Sequence, residues 1–242
     1  MSADRDTSYI LKLTDGLWFT AGPDRWFVPS LKVALGSWVA LVPEDPEPAV
    51  DPSGSLAWTL ATMQEPVRGS MELFGNNIYQ MDHGARQRIR ANIGFVHGYG
   101  GLLSGSTVRE NIALPVSVHR RLNASDEAEI VAHIIRRLAL EKVADLRPHE
   151  MDGSTRWRAC LARALVLEPQ WVILEGIGNW EMDRGRGTDW QCIVETQKEG
   201  ASAIAICLAR QNPEFEAWFE EHDGSIVRFK KYMDREQETE KL

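Results

Sequence analysis

The sequence has few cysteines, no paired histidines and no cluster of basic residues. Its three cysteines, Cys160, Cys192 and Cys207, are far apart and stand among apolar neighbours, so we interpret them as core residues rather than metal ligands. The six histidines show no HExxH or similar paired spacing. A formal net charge of -8 argues against a broad nucleic-acid interface, because phosphate binding needs clustered Lys and Arg. We therefore predict neither a metal site nor a nucleic-acid partner.

The sequence also lacks a membrane-spanning segment. No stretch approaches the roughly 20 apolar residues that cross a bilayer, and residues 1–7 lack the apolar core of a signal peptide. We expect a cytoplasmic protein that reaches a membrane only through a partner. The chain of 242 residues, 43% hydrophobic and 26% charged, predicts one folded domain with an insertion.

Buried strands alternate with helices along the chain. Residues 38–42, 171–174 and 203–207 are continuous apolar runs, as in strands covered on both faces. Shorter strands are predicted at residues 9–13, 31–35, 70–73, 78–79 and 93–96, and helices at residues 56–63, 108–114, 126–140 (with Ser125 as N-cap) and 155–167. This alternation predicts an α/β fold with a mainly parallel sheet.

A proline-rich acidic loop joins the first buried strand to the first helix. Residues 43–51, PEDPEPAVD, contain three prolines and four acids, which exclude regular structure. Strand, loop and helix is the order in which phosphate-binding loops occur. We expect the loop itself to be a solvated surface, with a basic partner patch as the alternative.

Three segments, taken in order, resemble landmarks of ABC transporter ATP-binding subunits. They are GSMELFGNNIYQMD at 69–82, NIGFVHGYGGLLSGSTVRENIALPVSVH at 92–119, and RPHEMDGSTRWRACLARALVLEPQWVIL at 147–174. Within that superfamily, GGLLSGSTVRENIALPVSVH followed by ACLARALVLEP is most similar to Mla-type bacterial phospholipid transporters. The resemblance covers roughly residues 9–229.

The resemblance implies a P-loop NTPase-like core with an N-terminal antiparallel β subdomain. The core would occupy residues 1–229, with a helical subdomain inserted at about 97–165. Residues 230–242 would form a charged tail, frayed or helical.

The nucleotide-binding motifs of the family are altered in this sequence. A Walker A loop uses glycines, a lysine and a Ser or Thr hydroxyl to hold phosphates and Mg²⁺. Gly54 remains here, but the corresponding positions hold Asp51, Leu56, Ala57 and Trp58. The other motif positions hold Glu175 and Gly176 in Walker B, Asp152, Gly153 and Ser154 in the signature, Gly98 in the Q-loop and Leu208 at the switch histidine.

From these changes we predict a pseudo-ATPase. The chain would not be an enzyme and would bind neither ATP nor Mg²⁺, because phosphoryl transfer depends on these groups acting together. One hypothesis is that Trp58 fills the vacated phosphate pocket, and the alternative is that it is an ordinary helix residue.

The resemblance implies partners as well. We expect a structural or regulatory subunit of an envelope lipid transporter, located at the inner membrane through a permease. It would pair with a second ATP-binding subunit as a homodimer or heterodimer. The alternative is a soluble adaptor or sensor that has kept the fold without the transporter.

Overall fold

Ten strands form one continuous sheet within the described part of the chain. The computed structural model describes residues 9–98, 100–120, 122–176, 203–208 and 210–232. The strands are β1 Tyr9–Ala21, β2 Asp24–Val28, β3 Leu31–Ala34, β4 Trp38–Pro43, β5 Arg68–Leu73, β6 Asn76–Asn77, β7 Ile93–Val96, β8 Trp171–Glu175, β9 Ala203–Cys207 and β10 Ser225–Tyr232. Their order is β6-β5-β1-β2-β10-β4-β9-β8-β7, and β3 pairs with β1.

The sheet has an antiparallel half and a parallel half. Strands β1, β2, β3, β5 and β6 pair antiparallel, whereas β10, β4, β9, β8 and β7 run parallel. Strand β10 joins the halves, since it is antiparallel to β2 and parallel to β4. The predicted α/β fold, with an antiparallel N-terminal part and a mainly parallel core, is confirmed.

Six α-helices cover the sheet in the described residues. They are α1 Ser53–Leu60, α2 His83–Arg90, α3 Val108–His119, α4 Ala124–Arg137, α5 Gly153–Leu165 and α6 Pro213–Glu221. The central strands send alternate side chains to opposite faces, as the pleat requires. In β4, for example, Val39 and Leu41 join the core that contains α1, while Ala40 and Val42 join the core that contains α3 to α6. Helix α1 is thus on the opposite face from α3, α4 and α5.

One predicted strand is a turn of 3₁₀-helix. Residues 78–79 lie in the 3₁₀-helix Ile78–Gln80, and the strand of that hairpin is β6, the two residues directly before it. The chain turns at Phe74 and Gly75, which have φ of 51° and 68°. Because these two residues take left-handed conformations, the hairpin reverses sooner than the apolar pattern suggested.

The N-cap of α4 is also displaced from its predicted position. The side chain of Asn123 accepts a hydrogen bond from the Asp126 backbone N–H at 2.9 Å, whereas Ser125 lies inside the helix. Asn and Ser are equally good caps. The sequence alone did not discriminate between them.

The positions of the helices and of the last strand can be compared with the predicted domain boundaries. Helices α3, α4 and α5 lie within the interval 97–165 that the sequence assigned to an inserted subdomain. Residues 230–232, assigned to the charged tail, belong to β10, where Lys231 Nζ is 2.8 Å from Asp24 Oδ1. The remainder of the tail, and Cys192, lie outside the described residues. No helix of the described chain is long and apolar enough to cross a membrane.

Candidate functional site

A buried hydroxyl without a partner lies at the start of α1. The acidic loop ends at Asp51, whose Oδ1 accepts the Ser53 backbone N–H at 2.8 Å. Pro52 occupies the N-cap position and supplies no side-chain cap. The Ser53 hydroxyl is buried and has no hydrogen-bond partner among the described residues. A buried polar atom in this state indicates a place where a ligand or water binds.

The carboxylate of Glu175 packs against the same helix terminus. Glu175 ends β8 and is only 6% exposed. A Cβ built on Gly54 would lie 3.1 Å from Glu175 Oε1, and one built on Gly98 would lie 3.5 Å from it. A larger residue at position 54 would require the carboxylate to move by a few tenths of an ångström. The other oxygen, Oε2, has no hydrogen-bond partner among the described residues.

His97 is the ionisable side chain beside this carboxylate. It follows β7, and its Nδ1 lies 3.6 Å from Glu175 Oε2. Burial raises the pKa of Glu175 above its ordinary value of 4.5, the charge of His97 and the Gly98 backbone N–H lower it, and the charge of Asp51 raises it. Burial is the largest of these effects. The carboxylate is thus poised to take a proton or a cation.

The pKa of Glu175 leads to a stability prediction. Because the folded-state pKa is raised, the stability that this group contributes is present below its unfolded-state pKa and is lost as pH rises through the folded-state pKa. Replacing Glu175 by Gln removes the buried charge. Without nucleotide, we expect a gain of about 1 kcal/mol in the free energy of unfolding at pH 7 and no gain below the unfolded-state pKa.

Urea denaturation at several pH values measures this effect. Glu141→Gln, at an exposed position, serves as the control and should change the free energy of unfolding little at any pH. A loss of stability in Glu175→Gln at neutral pH would show that the carboxylate is held ionised by a partner that stabilises it.

Trp58 does not fill a phosphate pocket. Its side chain is 43% exposed, while the preceding Leu56 and Ala57 are buried in the core against the sheet. The Trp58 ring meets His97 edge-on, with ring centroids 6.4 Å apart. The hypothesis that Trp58 occupies the vacated pocket is therefore wrong, because helix α1 turns this position outward.

Comparison with known proteins places this arrangement in a family. A protein-family model described as ABC transporter matches residues 54–175. The matched segment begins at Gly54 and ends at Glu175, the two residues in contact at the site. Lipoprotein-releasing system ATP-binding protein LolD 1 of Rhodopirellula baltica is 30% identical over 209 residues, which is 82% of this chain and 89% of that protein.

The chain belongs to the ABC transporter family.

Other members of the ABC transporter family match over shorter stretches. LolD of Hahella chejuensis is 28% identical over 177 residues, 69% of this chain and 76% of that protein. Methionine import ATP-binding protein MetN 1 of Acinetobacter baylyi is 32% identical over 124 residues, 50% of this chain and 34% of that protein. The chain thus matches about a third of this last relative's length.

Solved structures confirm the ABC fold. A dimeric bacterial ABC transporter cassette superposes with a TM-score of 0.71 at 18% identity, covering 91% of this chain and 94% of that one. The cbiO1 protein of Clostridium perfringens gives a TM-score of 0.69 at 20% identity, covering 83% and 78%. The predicted P-loop NTPase-like fold is therefore confirmed.

Membership of the ABC transporter family corrects two predictions. We predicted from the altered motifs that the chain is not an enzyme, and that it takes neither ATP nor Mg²⁺. Both predictions are wrong, because the family is that of the ABC ATPases and the relatives above are ATP-binding proteins.

Four residues at the motif positions lie together in the structure, and the switch position follows the neighbouring strand β9. Gly54, Gly98 and Glu175 meet, and Gly176 is beside them: it has φ of 67°, and a Cβ there would lie 3.9 Å from Ser53 Oγ. Leu208, at the switch position, is buried, and its N–H donates to Leu41 O at 2.9 Å.

The signature residues of this ABC domain begin α5. Asp152 is the N-cap, and its carboxylate accepts hydrogen bonds from the Thr155 N–H and hydroxyl, both at 2.8 Å. These bonds lower the pKa of Asp152. Gly153 and Ser154 follow in the first turn. The carboxylate at the serine position thus has a local role in capping, which sequence reasoning missed.

Two residues of the site were also missed from the sequence. Ser53 lies inside the Walker A segment, and His97 precedes the Q-loop position, yet neither was given a role. The sequence signal that could have identified Ser53 and His97 is their position within or next to a nucleotide-binding motif. Only the fold shows that His97 lies beside Glu175 and that the Ser53 hydroxyl lies beside Gly176, the next residue.

The residues present fit a nucleotide that brings its own cation. Beyond Ser53, whose N–H is bonded to Asp51, the first-turn backbone N–H groups of α1 are donors for phosphate oxygens. The Ser53 hydroxyl and Glu175 Oε2, which have no hydrogen-bond partner among the described residues, are oxygens of the type that Mg²⁺ prefers. In the described residues, no group of three His, Cys, Asp or Glu could hold a metal by itself. Since Ala57 supplies no cation, phosphate affinity at this ABC site should depend strongly on Mg²⁺.

Proposed function

We propose that the chain is the ATP-binding subunit of an envelope ABC transporter that moves lipids or lipoproteins. The observation that carries this proposal is the similarity to a lipoprotein-releasing ATP-binding protein over 89% of that protein's length. The resemblance of residues 100–119 to Mla-type phospholipid transporters supports the same substrate class. Partners would be a permease of the inner membrane and a second ATP-binding subunit. Phosphoryl transfer from ATP would supply the free energy for transport.

An exposed apolar surface on the helical segment supports docking to a permease. Leu114 and Val118 are one helical turn apart on α3, and Val118 is 68% exposed. Leu103 and Leu122, on either side of α3 in sequence, are exposed as well. We call these four residues the α3 face. Exposed large apolar side chains on successive turns of one helix, as Leu114 and Val118 are, mark a surface that a partner covers.

The α3 face is held by the residues around it. The capping box of Thr107 and Glu110 fixes the start of α3. The side chain of Asn111 is fully buried and accepts the Leu103 backbone N–H at 2.7 Å. Leu103 is therefore tied to the helix. A surface that is ordered before binding loses little conformational entropy on docking.

The docking proposal is tested by rebinding to membranes. Purified chain would be added to urea-stripped inner-membrane vesicles of its own host, and bound protein measured by sedimentation. We expect the double variant Leu114→Asp, Val118→Asp to bind at least tenfold more weakly, because two carboxylates replace apolar contacts. Leu35→Asp, at a position 49% exposed beside β3, is the matched control.

The outcomes of the rebinding experiment distinguish docking through the α3 face from the alternatives. Binding that is lost in the double variant and kept in the control supports docking through the α3 face. Equal binding of all three proteins would contradict it. If even the unaltered chain does not rebind, the soluble adaptor or sensor becomes the better hypothesis.

The nucleotide part of the proposal has its own test. Mg²⁺-dependent ATP turnover would be measured in the complex assembled on the vesicles, with Glu175→Ala as the variant. We expect turnover to fall at least a hundredfold, because the variant removes the buried carboxylate of the site. Turnover that persists without Glu175 would contradict the site assigned above.

A further inference from the structure

We infer that His97 is a positioning residue that directs the buried Glu175 carboxylate toward the cation accompanying ATP. This inference deepens the proposed function and rests on it. Gly98 and Gly176, at two altered motif positions next to Glu175, offer no side-chain donor or acceptor. His97 directly precedes Gly98, and its Nδ1 lies 3.6 Å from Glu175 Oε2.

The register of the parallel sheet places His97 beside Glu175. Strands β7 and β8 pair in parallel, with Val96 opposite Leu174. One step further along the same register, His97 lies alongside Glu175. Side chains at matching positions of neighbouring strands point to the same face. Phe95, two residues before His97, packs against the core that contains α1, so His97 and Glu175 both lie on the α1 side of the sheet.

The other groups around Glu175 cannot take this role. On the far side of β8, β9 pairs Cys207 with Glu175, and burial raises the pKa of the Cys207 thiol, so the thiol is neutral at pH 7. Gly54 approaches from α1 without a side chain, and the negative charge of Asp51 opposes that of Glu175. Of these four neighbours, His97 is the one that can carry a positive charge.

The position of the His97 ring is fixed by its surroundings. The ring meets the rings of Phe95 and Trp58 edge-on, with centroids 6.1 and 6.4 Å away. The Gly100 N–H donates to the His97 carbonyl oxygen at 2.8 Å, and the Gly100 carbonyl accepts the Cys160 thiol at 2.7 Å. A ring held by packing and by its own backbone is already in place before nucleotide arrives, as a positioning residue requires.

The geometry directs the carboxylate without using up its oxygen. The distance of 3.6 Å is longer than a hydrogen bond, and Glu175 Oε2 has no hydrogen-bond partner among the described residues. The other oxygen, Oε1, faces Gly54 of α1. Oε2 is therefore turned to the His97 side and remains available to a cation. Carboxylates that bind metals are oriented by such outer partners, whose loss costs about 10- to 100-fold in metal affinity or activity.

Nucleotide binding with and without Mg²⁺ tests the inference. The dissociation constant of a non-hydrolysable ATP analogue would be measured by equilibrium dialysis on the full chain. We define the Mg²⁺ enhancement as the ratio of the constants without and with Mg²⁺. We expect His97→Phe to lower this enhancement roughly tenfold and to leave the constant without Mg²⁺ unchanged. Phenylalanine keeps the ring against Phe95 and Trp58 but lacks Nδ1.

Two further variants separate the ring nitrogen from the ring. The amide nitrogen of asparagine is as many bonds from the backbone as Nδ1 is, so His97→Asn should recover most of the Mg²⁺ enhancement. His83→Phe, at an exposed position that begins α2, is the matched control and should leave the enhancement unchanged. Urea denaturation without nucleotide would show that all three variants fold.

The outcomes separate this inference from the proposed function. If Mg²⁺ does not enhance binding to the unaltered chain, the nucleotide part of the proposed function fails together with the inference. An equal enhancement in His97→Phe and the unaltered chain overturns the role of His97 and leaves the nucleotide site intact. The inference also fails if His97→Asn is as weak as His97→Phe, because the ring and not its nitrogen is then required. It fails as well if His97→Phe loses affinity equally with and without Mg²⁺.

Discussion

Replacing Ala57 by lysine is expected to raise the affinity of the chain for Mg²⁺-ATP by roughly ten- to a hundredfold. A hydrogen bond to a charged group contributes about 1.5–3 kcal/mol, and each 1.4 kcal/mol is tenfold in affinity. Ala57 stands where the family places the lysine of the phosphate-binding loop. A lysine there leans toward the N-terminus of α1, where the backbone N–H groups and Ser53 are. The new ammonium would also offset the negative charges of Asp51 and Glu175.

Ala61→Lys is the matched control for this prediction. Ala61 is buried and ends the same helix, one turn beyond Ala57, so the variant adds the same charge farther from the phosphates. Affinity would be measured by equilibrium dialysis with labelled ATP, with and without Mg²⁺. An affinity unchanged in a folded Ala57→Lys variant would contradict phosphate binding at α1. An equal gain in both variants would show a general charge effect.

The strands of the parallel core could be predicted because burial on both faces leaves a continuous apolar run. The strand predicted at residues 203–207 has the same ends in the structure. The strands predicted at residues 38–42 and 171–174 are each one residue longer in the structure. Strand β2 and helix α2 were missed, because charged residues interrupt their apolar pattern. Strand β2 is specified by its pairing with β1 and β10, and α2 by the Asp82 cap, rather than by apolar periodicity.

The site could be predicted only in part. The motif positions 54, 98 and 175 were identified by resemblance, and the structure brings them into contact. The orientation of Trp58 depends on which side of α1 faces the sheet, and a single aromatic residue in a helix does not determine that. The altered motif positions, taken together, predict a pseudo-ATPase, and this prediction is wrong. A motif position specifies which group is present, whereas family membership rests on the match of the whole segment.

The rigidity of the α3 face depends on one buried amide, and this gives the largest predicted effect on stability. The Asn111 side chain accepts the Leu103 N–H, and its Nδ2 lies 3.1, 3.2 and 2.8 Å from the carbonyl oxygens of Leu103, Ser106 and Thr107. Asn111→Ala removes these side-chain hydrogen bonds: the Leu103 N–H and the Ser106 carbonyl lose this partner, whereas the Leu103 and Thr107 carbonyl oxygens keep the backbone N–H groups of Ser106 and Asn111. We expect the free energy of unfolding to fall by about 3 kcal/mol in urea denaturation, since each unsatisfied buried group costs about 1–3 kcal/mol.

Two further variants show whether the Asn111 side chain stabilises the protein by ordering the loop at Leu103. Asn111→Asp keeps the acceptor for Leu103 but sets a carboxylate against three carbonyl oxygens, so its loss should be at least as large. Asn123→Ala removes the exposed cap of α4 and should cost about 1 kcal/mol. Hydrogen exchange at the Leu103 amide should accelerate in Asn111→Ala, which removes its acceptor, and not in Asn123→Ala. If exchange at the Leu103 amide stays slow while the free energy of unfolding falls, Asn111 stabilises the core of the helical segment without ordering the loop that carries Leu103.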